Sequence, residues 1–106
     1  MMSGDVKIKE VPPEVISKIV SLASSIQKEE VKVSLVKNTG KWILFRIEKG
    51  EKALAPIQRW MIRELKFALK ERGIRSFTIL NDKRLRIWRG IGILAKDLEK
   101  LMKLEV

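Results

Sequence analysis

The residues with the most chemistry to offer are three tryptophans and eight arginines, and all of them fall between positions 31 and 93. That segment carries a net +11, against +10 for the whole chain of 106 residues, so the basic excess is confined to it. Arg and Lys neutralise phosphates, and an indole ring stacks on an unpaired base whatever its identity. A basic segment interleaved with aromatics is the footprint of a polyanion site. A surface made basic only for solubility would use Lys spread along the chain. Other chemistry is excluded by composition. There is no Cys, hence no disulfide, thiolate nucleophile or Cys-based zinc site. There is no His, hence no imidazole base, no Ser-His-Asp triad and no His metal ligand. No cofactor, metal or catalytic residue is expected.

Alternation along strands sorts the candidates, because successive side chains point to opposite faces. In the segment 41–48, Ile43, Phe45 and Ile47 share one face, and Trp42, Leu44 and Arg46 the other. In 83–89, Leu85 and Ile87 oppose Arg84, Arg86 and Trp88, with Arg89 ending the run. The segment 75–80 splits into Phe77 and Ile79 against Ser76, Thr78 and Leu80, and 31–37 splits into Val33 and Leu35 against Ser34 and Val36. The apolar sets predict a core face that includes Phe77 and Ile79. The others predict a second face carrying two Trp, three Arg and small hydroxyls. Burying three Arg without acidic partners would be costly, which favours contact with nucleic acid over packing. A second group lies between 56 and 72. Arg59, Arg63, Lys66 and Lys70 are spaced four, three and four apart, which makes one basic stripe on a helix. Trp60 and Phe67, one heptad apart, lie beside it, and they either line a nucleic-acid cleft or bury against another protomer.

These residues need elements to hold them. Residues 1–11 read as an arm. Pro12-Pro13 opens a helix through Val15, Ile19, Leu22 and Ile26. Two alternating runs around Asn38-Thr39-Gly40 read as a hairpin. Pro56 begins a second helix that Gly73 stops. A second hairpin, 75–80 and 83–89, turns at Asn81-Asp82, and Gly90 and Gly92 break the strand pattern. Residues 94–106 close the chain with a short helix through Leu94, Leu98, Leu101 and Met102. The prediction is a single α+β domain over 1–106, a four-stranded antiparallel sheet of two hairpins with helices packed on it, in the order α-β-β-α-β-β-α. The hydrophobic fraction of 45% suffices for a core.

The order of elements, the Trp-rich basic sheet, and the Gln58-Arg59-Trp60 helix followed by the Arg84-Leu85-Arg86-Ile87-Trp88 strand resemble the ThermoDBP family of archaeal single-stranded DNA-binding proteins. The resemblance covers roughly 11–94 and rests on pattern rather than on a diagnostic motif. It implies an α+β domain that is not an OB-fold, with an aromatic cleft flanked by basic residues. The founding members carry a long C-terminal leucine zipper. Only about a dozen residues follow Gly92 here, so the chain is more similar to the shorter ThermoDBP-related proteins, some of which form tetramers that enclose DNA.

The expected function is sequence-tolerant binding of single-stranded DNA. Bases would stack on Trp42, Trp88 and Trp60, and phosphates would be held by Arg46, Arg59, Arg63, Lys66, Arg84, Arg86 and Arg89 with Phe67 alongside. Sheet-face stacking is also how RNA is read, so an RNA-binding module is the alternative. An interaction subunit docking an acidic partner is another. A metal-dependent nuclease would need Glu48, Glu51 and Asp82 to converge, and their places near turns argue against it. Small size and the wide apolar arc of the second helix predict a homo-oligomer, dimer or tetramer. No apolar run reaches ~20 residues and the N-terminus lacks an apolar signal core, so neither a membrane span nor a secretory signal is expected. The expected compartment is the cytoplasm. High charge with two Asn, two Gln and no Cys suits a thermophile.

Overall fold

The computed structural model describes residues 11–50, 57–83 and 86–104, with 81–83 and 86–87 described as backbone only. The order is α1 (Pro13–Gln27), β1 (Val31–Asn38), β2 (Trp42–Lys49), α2 (Arg59–Glu71), β3 (Ser76–Lys83), β4 (Arg86–Leu94), a 3-10 turn (Ala95–Asp97) and α3 (Leu98–Met102). The four strands form one antiparallel sheet in the order β1-β2-β4-β3. This is the α+β architecture that the patterning predicts.

Both long helices pack on one face of the sheet, α1 over β1 and α2 over β3 and β4, while α3 closes against α1. Pro12 and Pro13 start α1 because neither needs to donate a helical hydrogen bond there. Gly73, at φ 79°, ends α2 in a conformation that a side chain would strain. Ile43, Phe45, Ile47, Ile91 and Ile93 project from the sheet into a core shared with Val15, Ile19 and Leu22 of α1 and Met61, Ile62, Leu65 and Leu69 of α2. Full burial of each such side chain contributes about 1.5–3 kcal/mol relative to exposure.

Five expectations change. First, β3 runs through Asn81 and Asp82 to Lys83, so the second hairpin turns later than the Asn-Asp pair suggests. Second, β4 continues through Gly90 and Gly92 to Leu94 instead of breaking there. Both glycines sit inside the ladder because they meet close neighbours. A β-carbon at Gly90 would lie 1.8 Å from the Phe45 carbonyl oxygen, and one at Gly92 would lie 2.4 Å from the Phe77 ring. Third, α2 begins at Arg59 rather than at Pro56, and Pro56 lies outside the described residues. Fourth, Leu94, the expected start of the closing helix, ends β4, and the helix itself is Leu98–Met102.

The fifth correction bears on function. β3 pairs with β4 so that Thr78 faces Ile91 and Ser76 faces Ile93, while Phe77 faces Gly92 and Ile79 faces Gly90. Directly paired residues share a face. Ser76, Thr78 and Leu80 therefore lie on the helix-covered face, and Phe77 and Ile79 on the other. Hydrophobicity alone suggests the opposite assignment.

Candidate nucleic-acid interface

Among the described residues, the sheet face away from the helices is not covered by another element. Its floor is Leu44, Ile79 and the two glycines of β4, and aromatic and basic side chains rise from it. Trp42 enters β2 straight after a three-residue loop that is fixed by its own hydrogen bonds. The Thr39 hydroxyl accepts from the Trp42 N–H at 2.9 Å and donates to the Trp42 carbonyl at 3.1 Å, and the Gly40 N–H donates to Asn38 Oδ1 at 2.9 Å. The Trp42 ring meets the Phe77 ring edge to face, with centroids 4.8 Å apart and planes at 77°. These rings come from β2 and β3, which are separated by β4. They touch because Gly92 has no side chain, and the Phe77 ring lies across it.

Further along the same face, the Arg46 guanidinium sits 5.4 Å from the centre of the Trp88 ring, within cation–π range. Arg46 Nε is buried and has no hydrogen-bond partner among the described residues. Such a donor is costly to leave unpaired. Ser34 pairs with Arg46 across β1 and β2 on this face. A bulge between Leu35 and Lys37 then brings Lys37 opposite Leu44, giving the face another cation at its edge.

The sequence-predicted residues thus divide. Trp42, Arg46 and Trp88 converge on the open sheet face. Phe77 joins them although it is expected in the core; the signal that could have found it is an aromatic aligned with a strand glycine. Arg59, Trp60, Arg63, Lys66 and Phe67 are all exposed on α2. That helix packs on the other side of the sheet, so one protomer does not join them to Trp42 and Trp88 in a single cleft. Trp60 and Phe67, 50% and 59% exposed, point directly away from the core.

Arg89, by contrast, lies on the helix-covered face of the sheet. It shares the parity of Ile91 and Ile93, and its Nη1 donates to the Ile57 carbonyl at 3.0 Å. The Ile57 N–H in turn donates to the Ile47 carbonyl at 3.3 Å. Residue 57 is thereby inserted where β2 and β4 part, since their pairing ends at Arg46 and Gly90. Arg86 pairs with Lys83 in the β3–β4 ladder. Arg84 lies outside the described residues, as do Glu51 and the side chain of Asp82.

Among the described residues no group of three or more carboxylates could hold a metal ion, and no helix is long and apolar enough to cross a membrane. The one buried charged side chain among them is Asp97, 1% exposed. Burial raises its pKa. The Arg75 N–H and guanidinium and the Lys100 ammonium outweigh that, and the net effect holds the carboxyl below its ordinary value. Compared with known proteins, the chain matches no family model, no curated protein and no solved structure.

Proposed function

We propose that this protein binds single-stranded DNA, with bases stacking on the sheet face and phosphates held by the arginines and lysines around it. The observation that carries this reading is the open face itself, with Trp42, Phe77 and Trp88 arrayed across three strands and Arg46 stacked on one of them. A strand surface of aromatics with interleaved cations accepts the π-face of any base and is therefore sequence-tolerant. A duplex hides those π-faces, so stacking favours the unpaired strand. The confinement of the +11 to residues 31–93 supplies attraction to the backbone. The resemblance to the ThermoDBP family points the same way.

The test is titration of labelled oligo-dT, oligo-U and duplex DNA at several salt concentrations. Tighter binding of oligo-dT than of duplex is expected, and equal affinity for the two would sink the reading. Tighter binding of oligo-U would move the substrate to RNA. Trp42→Ala and Trp88→Ala should each cost about 1–3 kcal/mol per stacked base. A patch that merely docks an acidic partner would lose little from either change.

A further inference from the structure

The two basic groups lie on opposite sides of the sheet, yet they are not isolated. One depression at the sheet edge adjoins Trp42 and is lined by Lys41, Arg75 and Lys96. A second lies between the C-terminal end of α2 and α3, and is lined by Lys66, Lys70, Arg75, Ser76 and Lys100. Arg75 belongs to both and forms the ridge between them. Six cations thus line two adjoining hollows, and no carboxylate lines either among the described residues.

This arrangement is built rather than fortuitous. Asp97, buried beneath the ridge, accepts from Arg75 Nε through Oδ2 at 3.4 Å and faces Lys100 Nζ through Oδ1 at 3.7 Å. Lys100 Nζ also donates to the Gly73 carbonyl at 3.1 Å, which ties it to the end of α2. Arg75 of the ridge and Lys100 of the second hollow are therefore held together at fixed places, while Lys66 and Lys70 project from the exposed face of α2 beside them. Arg75 is nonetheless 67% exposed, so its charge is presented outward. The Ser76 hydroxyl at the second hollow is buried and has no protein partner among the described residues.

We propose that a bound single strand continues beyond the aromatic face. Its phosphates pass over Lys41 and Lys96, cross Arg75, and end in the hollow of Lys66, Lys70 and Lys100. The inference rests on the sheet-face reading above and extends it. The occupant is the sugar-phosphate backbone alone, because neither hollow offers an aromatic ring apart from Trp42 at its mouth.

The test compares Lys66→Gln/Lys70→Gln with the unaltered protein on oligo-dT of about 4 and about 16 nucleotides, the range of known single-strand site sizes. Lys28→Gln/Lys49→Gln removes the same charge at the far end of the sheet and serves as control. With the long oligomer, the Lys66/Lys70 variant should flatten the slope of log K against log salt by about 1.4, from about 0.7 per lost phosphate contact. The control should flatten it much less. With the short oligomer, which the aromatic face accommodates alone, neither variant should matter. Equal slopes for the two variants on the long oligomer would overturn the path while leaving the sheet-face reading intact. If the unaltered protein binds neither oligomer, both fall. If it binds but Trp42→Ala has no effect on either length, the sheet-face reading fails and takes the path with it.

Discussion

At the residue scale, two glycines two positions apart on β4 do opposite jobs. The β-carbon of an alanine at Gly92 would stand 2.4 Å from Phe77 ring atoms, and a side chain can swing away. The ring would then leave Trp42 and the stacking surface would be broken across β4. Gly92→Ala should therefore weaken oligo-dT binding several-fold while circular dichroism and Tm change little. At Gly90 the obstacle is the Phe45 carbonyl oxygen at 1.8 Å, which is backbone inside the ladder. Gly90→Ala should cost about 3 kcal/mol of stability, as severe overpacking does, and denaturant unfolding would measure it. If Gly92→Ala instead unfolds the protein, Gly92 is structural and the account of Phe77 fails.

At the element scale, the long helices and the first hairpin are legible because their periods are clean. Val15, Ile19 and Leu22 recur at helical spacing, and Ile43, Phe45 and Ile47 alternate without exception. β3 is not legible in the same way. Both of its faces contain apolar residues, Phe77 and Ile79 against Leu80, so alternation cannot choose between them. The choice is made by register with β4, a non-local pairing that no local pattern encodes. The shared face of Trp42, Arg46 and Trp88 is legible from the chain because their strand neighbours are unambiguous. That Arg89 falls on the helix-covered face beside Ile57 is not legible locally, because residue 57 is brought there by a non-local contact.

The closing segment gives a pH prediction at this same scale. Asp97 binds Arg75 of the chain entering β3 and Lys100 of α3, and so fastens the C-terminal elements to the sheet. Its folded pKa lies below the ordinary 3.8. Between those two values the unfolded chain binds the proton and the folded one does not, so stability rises with pH there. The contribution is complete above about pH 4 to 5 and is lost as pH falls through the folded value. Asp97→Asn should cost about 1.5 kcal/mol at pH 7, a charged hydrogen bond discounted because Arg75 and Lys100 are largely exposed. The gap between variant and parent should narrow as unfolding is measured at successively lower pH. A constant gap would mean that Asp97 acts by shape rather than charge.

At the scale of the whole molecule, α2 has a strip left over. A turn of 3.6 residues separates the helix into a buried strip of Met61, Ile62, Leu65 and Leu69, a basic strip of Arg59, Arg63, Lys66 and Lys70, and a third of Trp60, Phe67, Glu64 and Glu71. The basic strip leads to the hollow of Lys66, Lys70 and Lys100, where the phosphate path is proposed to end; the third faces away from both core and hollow. Two outward aromatics beside carboxylates suit a protein surface better than a polyanion, so the expected occupant is a second copy of the chain. The area limits how tightly. Trp60 and Phe67 are 50% and 59% exposed, and with aromatic side chains burying 150–250 Å² each, they offer roughly 200 Å² per protomer. A standard interface needs about 800 Å² per partner, so flanking residues must supply most of it and association should depend on concentration. Light scattering across a concentration series should show mass rising from 12.3 kDa towards a multiple of it. Trp60→Ser/Phe67→Ser should hold the protein at the monomer mass while leaving short oligo-dT affinity unchanged. If that variant keeps its mass and loses DNA instead, the strip belongs to the nucleic acid, and the bound strand reaches further round the molecule than the path through Lys66 and Lys70.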